Sequence, residues 1–214
     1  MREEVLRLER VTCLEQGVVQ LENFNLQIFR GEIMGLLAVN SHGLNTLLHL
    51  LRRKLPLERG YIYYRERQIN AWNNQMSDHT LQRIGIIENR SALVSGMTVA
   101  DNIFVLRHSF KSWIIRPALL RTQLEPVLTK LGVDFSPDDY VEHLSPFQRF
   151  VVEILKAVLG GCRLIVLREV STFISGEDLA RLHDIIREFA RQGIAFLYIG
   201  YHFEELQQLC DRTA

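Results

Sequence analysis

Apolar and polar positions alternate through the first part of the chain. Val5, Leu6, Leu8 and Val11 stand among Arg7, Glu9 and Arg10, and Val19, Leu21, Phe24, Leu26 and Ile28 among Gln20, Glu22, Asn25 and Gln27. A period of two predicts half-buried, antiparallel strands. A turn at Arg30 and Gly31 leads to a short apolar run, Ile33 to Leu37, and a turn at Glu58 to Gly60 leads to a further strand ending near Arg65. The continuous apolar runs Ile84 to Ile87, Leu164 to Leu167 and Ile194 to Ile199 suit strands buried on both faces of a parallel sheet.

Between about 98 and 160 the period becomes helical. Thr98 is a candidate N-cap with Asp101 three positions on. Leu119, Leu120, Leu124, Val127, Leu128 and Leu131 keep helical spacing, and Gly132 closes that helix. Trp113 to Ile115 are apolar at a loop-like position, which either packing within the helical block or docking would explain. Ser145 to Leu159 predicts a second helix, with Phe150, Val151, Ile154, Val158 and Leu159 apolar. Leu179, Leu182, Ile185, Ile186 and Phe189 share one face of another. Strand and helix alternate in the C-terminal half, so a parallel sheet covered on both faces is expected.

Composition narrows the class. The 214 residues, 47% of them hydrophobic, suffice for one large domain or two small ones. Basic and acidic residues balance at 25 each, which gives no support to a nucleic-acid partner, a local patch aside. Cys13, Cys162 and Cys210 have neither disulfide-framework nor metal-ligand spacing and fit a reducing compartment. The N-terminus lacks an apolar signal segment, and no run approaches the ~18 apolar residues that span a bilayer. A cytoplasmic location is expected.

The strand Ile33 to Leu37 runs into a polar loop, Ala38 to Gly43, with a helix expected from Leu44. Strand, loop and helix N-terminus frame a phosphate-binding loop, where backbone N–H groups meet an anion. A working loop reads G-x-x-x-x-G-K-[ST]. Here Ala38 stands at the first Gly, Gly43 at the second, Leu44 at the Lys and Asn45 at the Ser/Thr. The shape is present without the charge.

Three further segments keep order and spacing with this loop. Leu144-Ser145-Pro146-Phe147-Gln148 stands where Leu-Ser-x-Gly-Gln would, Arg163 to Ser175 resembles a Walker B strand and the loop beyond it, and Ile199 to Glu205 resembles a switch-histidine segment. Over nearly its whole length the chain resembles the nucleotide-binding domain of an ATP-binding cassette (ABC) transporter, in the ribose/galactose-type sugar-importer branch. The resemblance implies an α/β, P-loop NTPase-like ABC ATPase domain. It has a parallel-sheet core, an antiparallel β layer and a helical subdomain at about 98–160, as one domain over 1–214. Family domains usually carry further strands after the switch segment, and this branch often has two cassettes per chain, so a C-terminally truncated piece is expected.

The resemblance also assigns the site, and most assigned positions depart from the family. Leu44 replaces the Lys that pairs with the β- and γ-phosphates, Asn45 the magnesium-binding hydroxyl, and Ser41 and His42 small Gly-rich positions. Asn40, Gly43 and Thr46 complete that stretch. Glu15 falls where an aromatic stacks on adenine, Asn89 at the Gln that senses magnesium and the attacking water, and Arg168 at the Walker B Asp. Tyr201 falls at the switch His, with His202 one place later; Glu169 keeps the position of the catalytic base. In the signature, Ser145 and Gln148 are retained, Pro146 removes an N–H, and the Phe147 ring is expected to obstruct approach to a partner's γ-phosphate. Arg168 either replaces the lost lysine's charge or folds onto Glu169 as a local ion pair.

The resemblance thus implies a non-hydrolysing structural or regulatory module of a transport system. It would pair with a transporter membrane subunit or a second ABC domain, in a homo- or heterodimer, and lie peripheral to the membrane at most. No metal site and no cofactor are expected, ATP with magnesium binding only if residual affinity persists. The alternatives are a domain that binds nucleotide without hydrolysis and a conventional sugar-importer ATPase.

Overall fold

The computed structural model describes residues 2–38, 41–52, 57–69, 84–88, 91–104, 117–174 and 176–214. Trp113 to Ile115, Asn40 and Asn89 fall outside them.

The alternating N-terminal segments form β1 (Glu4–Glu15) and β2 (Val18–Phe29), paired antiparallel. With β4 (Arg59–Tyr64) and β5 (Arg67–Ile69) they make a four-stranded antiparallel sheet ordered β2-β1-β4-β5. The β1–β4 ladder shifts register between Glu9 and Thr12, where Arg10 takes φ 48°. Gly60 opposite has φ +97°, and a Cβ there would lie 2.4 Å from the Arg10 carbonyl oxygen, so only glycine fits.

The continuous apolar runs form the second sheet. β3 (Ile33–Leu37), β6 (Ile84–Ile87), β7 (Leu164–Arg168) and β8 (Ala195–Gly200) run parallel, in the order β6-β7-β8-β3, with β9 (Arg212–Thr213) beside β3. Leu164 to Leu167 are fully buried, as the run predicts. Because side chains alternate along a strand, the sheet feeds two cores. Leu164, Val166, Leu197 and Ile199 pack with β1 and α1 (Ser41–Leu51), whereas Ile165, Leu167, Phe196 and Tyr198 pack with the remaining helices.

Those helices are α2 (Val99–Phe104), α3 (Pro117–Leu131), α4 (Pro146–Leu159), α5 (Gly176–Arg191) and α6 (Phe203–Leu209). Ser145 caps α4 in a full capping box: its hydroxyl accepts from the Gln148 N–H at 3.2 Å, and the Gln148 side chain accepts from the Ser145 N–H at 2.9 Å. Leu182, Ile185, Ile186 and Phe189 of α5 are buried, and Leu179 is half-buried. No described helix is long and apolar enough to cross a membrane.

Candidate functional site

Parallel register delivers four strand ends to one edge of the sheet, with Leu37 opposite Gly200, Arg168 opposite Ile199 and Ile87 opposite Leu167. Glu88, Arg168, Glu169 and Tyr201 therefore emerge together, next to the helix that follows β3. In open α/β sheets this edge is where ligands bind.

The helix differs from expectation. It begins at Ser41, not Leu44, so Ser41, His42 and Gly43 have helical backbone instead of forming a loop. No glycine stands at 38, 41 or 42 to break helical geometry, which accounts for the early start. Leu44 is buried in the core between the two sheets, so the residue at the lysine position fills an apolar contact and does not face the edge. Thr46 is also buried, and its hydroxyl donates to Glu15 Oε2 at 3.3 Å. Glu15, expected at an adenine-stacking position, is thereby tied to α1.

Arg168 organises the edge. Its Nε donates to Glu169 Oε1 at 2.6 Å, and its Nη1 to Asn45 Oδ1 at 2.8 Å and to Glu88 Oε1 at 3.4 Å. One guanidinium thus joins α1, the exit of β6 and the exit of β7. Adjacent side chains on a strand point to opposite faces, so contact between residues 168 and 169 requires a break in the strand. Glu169 supplies it with φ 56° and ψ 37°, a left-handed conformation that turns its carboxylate back onto Arg168. Burial opposes the Arg168 charge, but the hydrogen bond and negative charge of Glu169 outweigh it, with Tyr201 and Glu88 adding to them, so its pKa moves up. Tyr201, expected at the switch position, donates its hydroxyl to Glu169 Oε1 at 3.0 Å. His202 is exposed and precedes α6.

The ABC transporter family model matches residues 21–172. The chain belongs to the ABC transporter family. Its relatives include the ribose import ATP-binding protein RbsA of Caldanaerobacter subterraneus subsp. tengcongensis, 27% identical over 210 residues, covering 98% of this chain and 42% of the relative. The xylose import ATP-binding protein XylG of Geobacillus kaustophilus is 29% identical over 213 residues, with 99% and 42% covered. The chain therefore spans about two fifths of the length of these sugar-import relatives. Among solved structures, cbiO1 from Clostridium perfringens, part of the ABC transporter complex cbiONQ, superposes with a TM-score of 0.82 at 19% identity, over 99% of this chain and 84% of that one. At that identity the likeness speaks for the fold, which is the ABC ATPase fold expected from the sequence.

For this ABC domain, sequence reasoning misplaced one ring and missed two residues. Phe147 is 3% exposed, packed in the core, with the Arg181 guanidinium 4.8 Å from its ring centroid. The phenyl ring does not stand out to obstruct a partner; its spacing to Phe150, Val151 and Ile154 on one face of α4 draws it inward. At the signature, Pro146 remains the lost donor, while Ser145 and Gln148 hold each other in the cap. Glu88 and Arg52 were not anticipated. They form an ion pair that presents Glu88 to Arg168; the sign available in the sequence was a carboxylate at the exit of a buried strand.

Proposed function

We propose that this chain is a non-hydrolysing ABC domain, a structural or regulatory module of a sugar-import system, in which a guanidinium takes the place of a bound metal. The observation that carries the reading is Arg168, set between Asn45, Glu88 and Glu169. Magnesium is held by oxygen ligands with near-octahedral geometry. A guanidinium only donates hydrogen bonds, carries a positive charge, and already engages the oxygens a metal would use. With Leu44 turned into the core, no described lysine stands at the start of α1 to receive phosphates. Phosphoryl transfer depends on positioning and charge neutralisation, and these residues do not fit a magnesium–nucleotide complex. In this reading the domain docks on a membrane subunit or a second ABC domain at the cytoplasmic face, and Glu169 serves as the counter-ion of Arg168.

Phosphate release from ATP and magnesium tests the proposal directly. The expected rate equals that of buffer; turnover that disappears in Glu169→Gln would overturn it. Replacing the cation is the complementary test. Arg168→Asp sets a third carboxylate beside Glu169 and Glu88, and is expected to gain thermal stabilisation by magnesium that the unchanged protein lacks. Metal-free nucleotide binding is the second reading, favoured by an α1 first turn without acidic residues. Calorimetric titration with ATP in EDTA separates it from the first.

A further inference from the structure

The opposite edge of the parallel sheet, where β3, β7 and β8 begin, holds a small cavity of about 90 Å³. It is lined by Glu3, Val5, Arg30, Arg65, Arg163 and Gly193, drawn from the head of β1, the end of β2, the β4–β5 turn and the entries to β7 and β8. Three arginines and one glutamate thus line one cavity in a chain whose overall charge is zero.

The arginines are held in place by the backbone. The Arg30 N–H donates to the Glu3 carbonyl at 2.8 Å, the Arg65 N–H to the Val5 carbonyl at 2.9 Å, and the Arg163 carbonyl accepts from Ala195 at 2.9 Å. Arg30 is fixed further. Its Nη1 donates to Glu3 Oε2 at 2.9 Å, and its guanidinium lies against Gly193, where a Cβ would come within 2.6 Å of Arg30 Nε. Glu3 is therefore already neutralised. Among the described residues no carboxylate pairs with the side chains of Arg65 or Arg163. Like charges gathered in one cleft repel, and an anion between them removes that repulsion.

We infer that this cavity is an anion site for a phosphate group, either inorganic phosphate or the phosphoryl end of a small monoester. The guanidinium fork matches the oxygens of a phosphate, two at a time. The volume corresponds to a few water molecules, which admits a phosphate group and excludes a whole nucleotide. The site is independent of the Arg168 edge, since it shares no residue with it. A phosphate there would bridge the antiparallel sheet, through Arg30 and Arg65, to the parallel sheet, through Arg163, and so stabilise the joint between the two layers by mass action.

The test is calorimetric titration of the full chain with inorganic phosphate and with methyl phosphate, against chloride at equal ionic strength. The unchanged protein and the pair of substitutions Arg65→Ala and Arg163→Ala are compared, alone and together. Both arginines are exposed and have no side-chain partner among the described residues, so the variants are expected to keep their structure, checked by circular dichroism. Saturable binding of either ligand, weakened about tenfold by each substitution, is the expected result. No saturable binding by the unchanged protein, or equal binding by the double variant, overturns the inference. So does arginine-dependent binding to vesicles of anionic phospholipid without any binding of the free ligands, which would make the cleft a membrane contact.

Discussion

Removing the Arg168 guanidinium is the sharpest perturbation of the edge. Its three hydrogen bonds differ in weight: the Glu169 bond at 2.6 Å is short and charge-assisted, the Asn45 bond at 2.8 Å has one charged member, and the Glu88 contact at 3.4 Å is long. Arg168→Ala leaves Glu88 with Arg52 and Glu169 with Tyr201, so neither carboxylate is stranded. The side chains of Arg168, Glu169 and Glu88 are 18%, 17% and 23% exposed. That places the loss below the ~3–5 kcal/mol of a broken fully buried pair and above the ~0–1 kcal/mol of a surface pair. We expect about 2 kcal/mol, or a fall in Tm of about 4–8 °C at this chain length. Urea denaturation followed by far-UV circular dichroism measures it. A double-mutant cycle with Glu169→Gln should return a coupling of about 1 kcal/mol. Because the pair is shielded from solvent, 1 M salt should leave most of the effect in place. A loss under about 0.5 kcal/mol, or one that salt abolishes, would mean that the guanidinium is free in water and the edge is open to a metal.

Two further outcomes follow from burial. Phe147→Ala should cost about 3 kcal/mol in the same denaturation assay, because its ring is 3% exposed in the core; a cost under about 1 kcal/mol would return the ring to the partner-facing position. His183 is buried with its Nε2 unpartnered, its ring edge-on to Tyr198 at 5.8 Å, and Tyr198 donates to Glu205. Burial first, then Arg187, lowers the His183 pKa, against the opposing charges of Glu205 and Asp184. The unfolded chain then takes up a proton near pH 6.5 that the folded chain does not, so stability is full above that value and declines as pH falls below it. His183→Leu should flatten the Tm profile between pH 7.5 and 5.5; an unchanged slope would show that another group sets it.

Strands β1 to β4 and β6 to β8 were legible because each pairs a clear period with a clear environment, whereas the two- and three-residue strands β9 and β5 are too short to show a period. Leu164 to Leu167 has no polar residue, which only a central strand accommodates, and Val5 to Val11 alternates because one face of β1 meets solvent. The edge was harder to read. Walker-type spacing located Asn45, Arg168, Glu169 and Tyr201, but spacing carries no direction. The left-handed turn at Glu169, which folds one charged side chain onto its neighbour, leaves no mark in the order of residues. Nor does the early start of α1, since Ser41 and His42 suit a loop and a helical first turn equally. Phe147 was misread for the opposite reason: alignment with a signature glycine hid its place in the apolar stripe of its own helix.

The cation at this edge is part of the chain. A dissociable ion has an off-rate and a concentration below which its site empties; a guanidinium on a strand end has neither, and its effective concentration at Asn45 is set by covalent geometry alone. The link between α1 and the exits of β6 and β7 is therefore made by the chain's own side chains. On the proposed non-hydrolysing reading, this edge is a built-in clamp with no metal-dependent step, and regulation of the domain would enter through another surface.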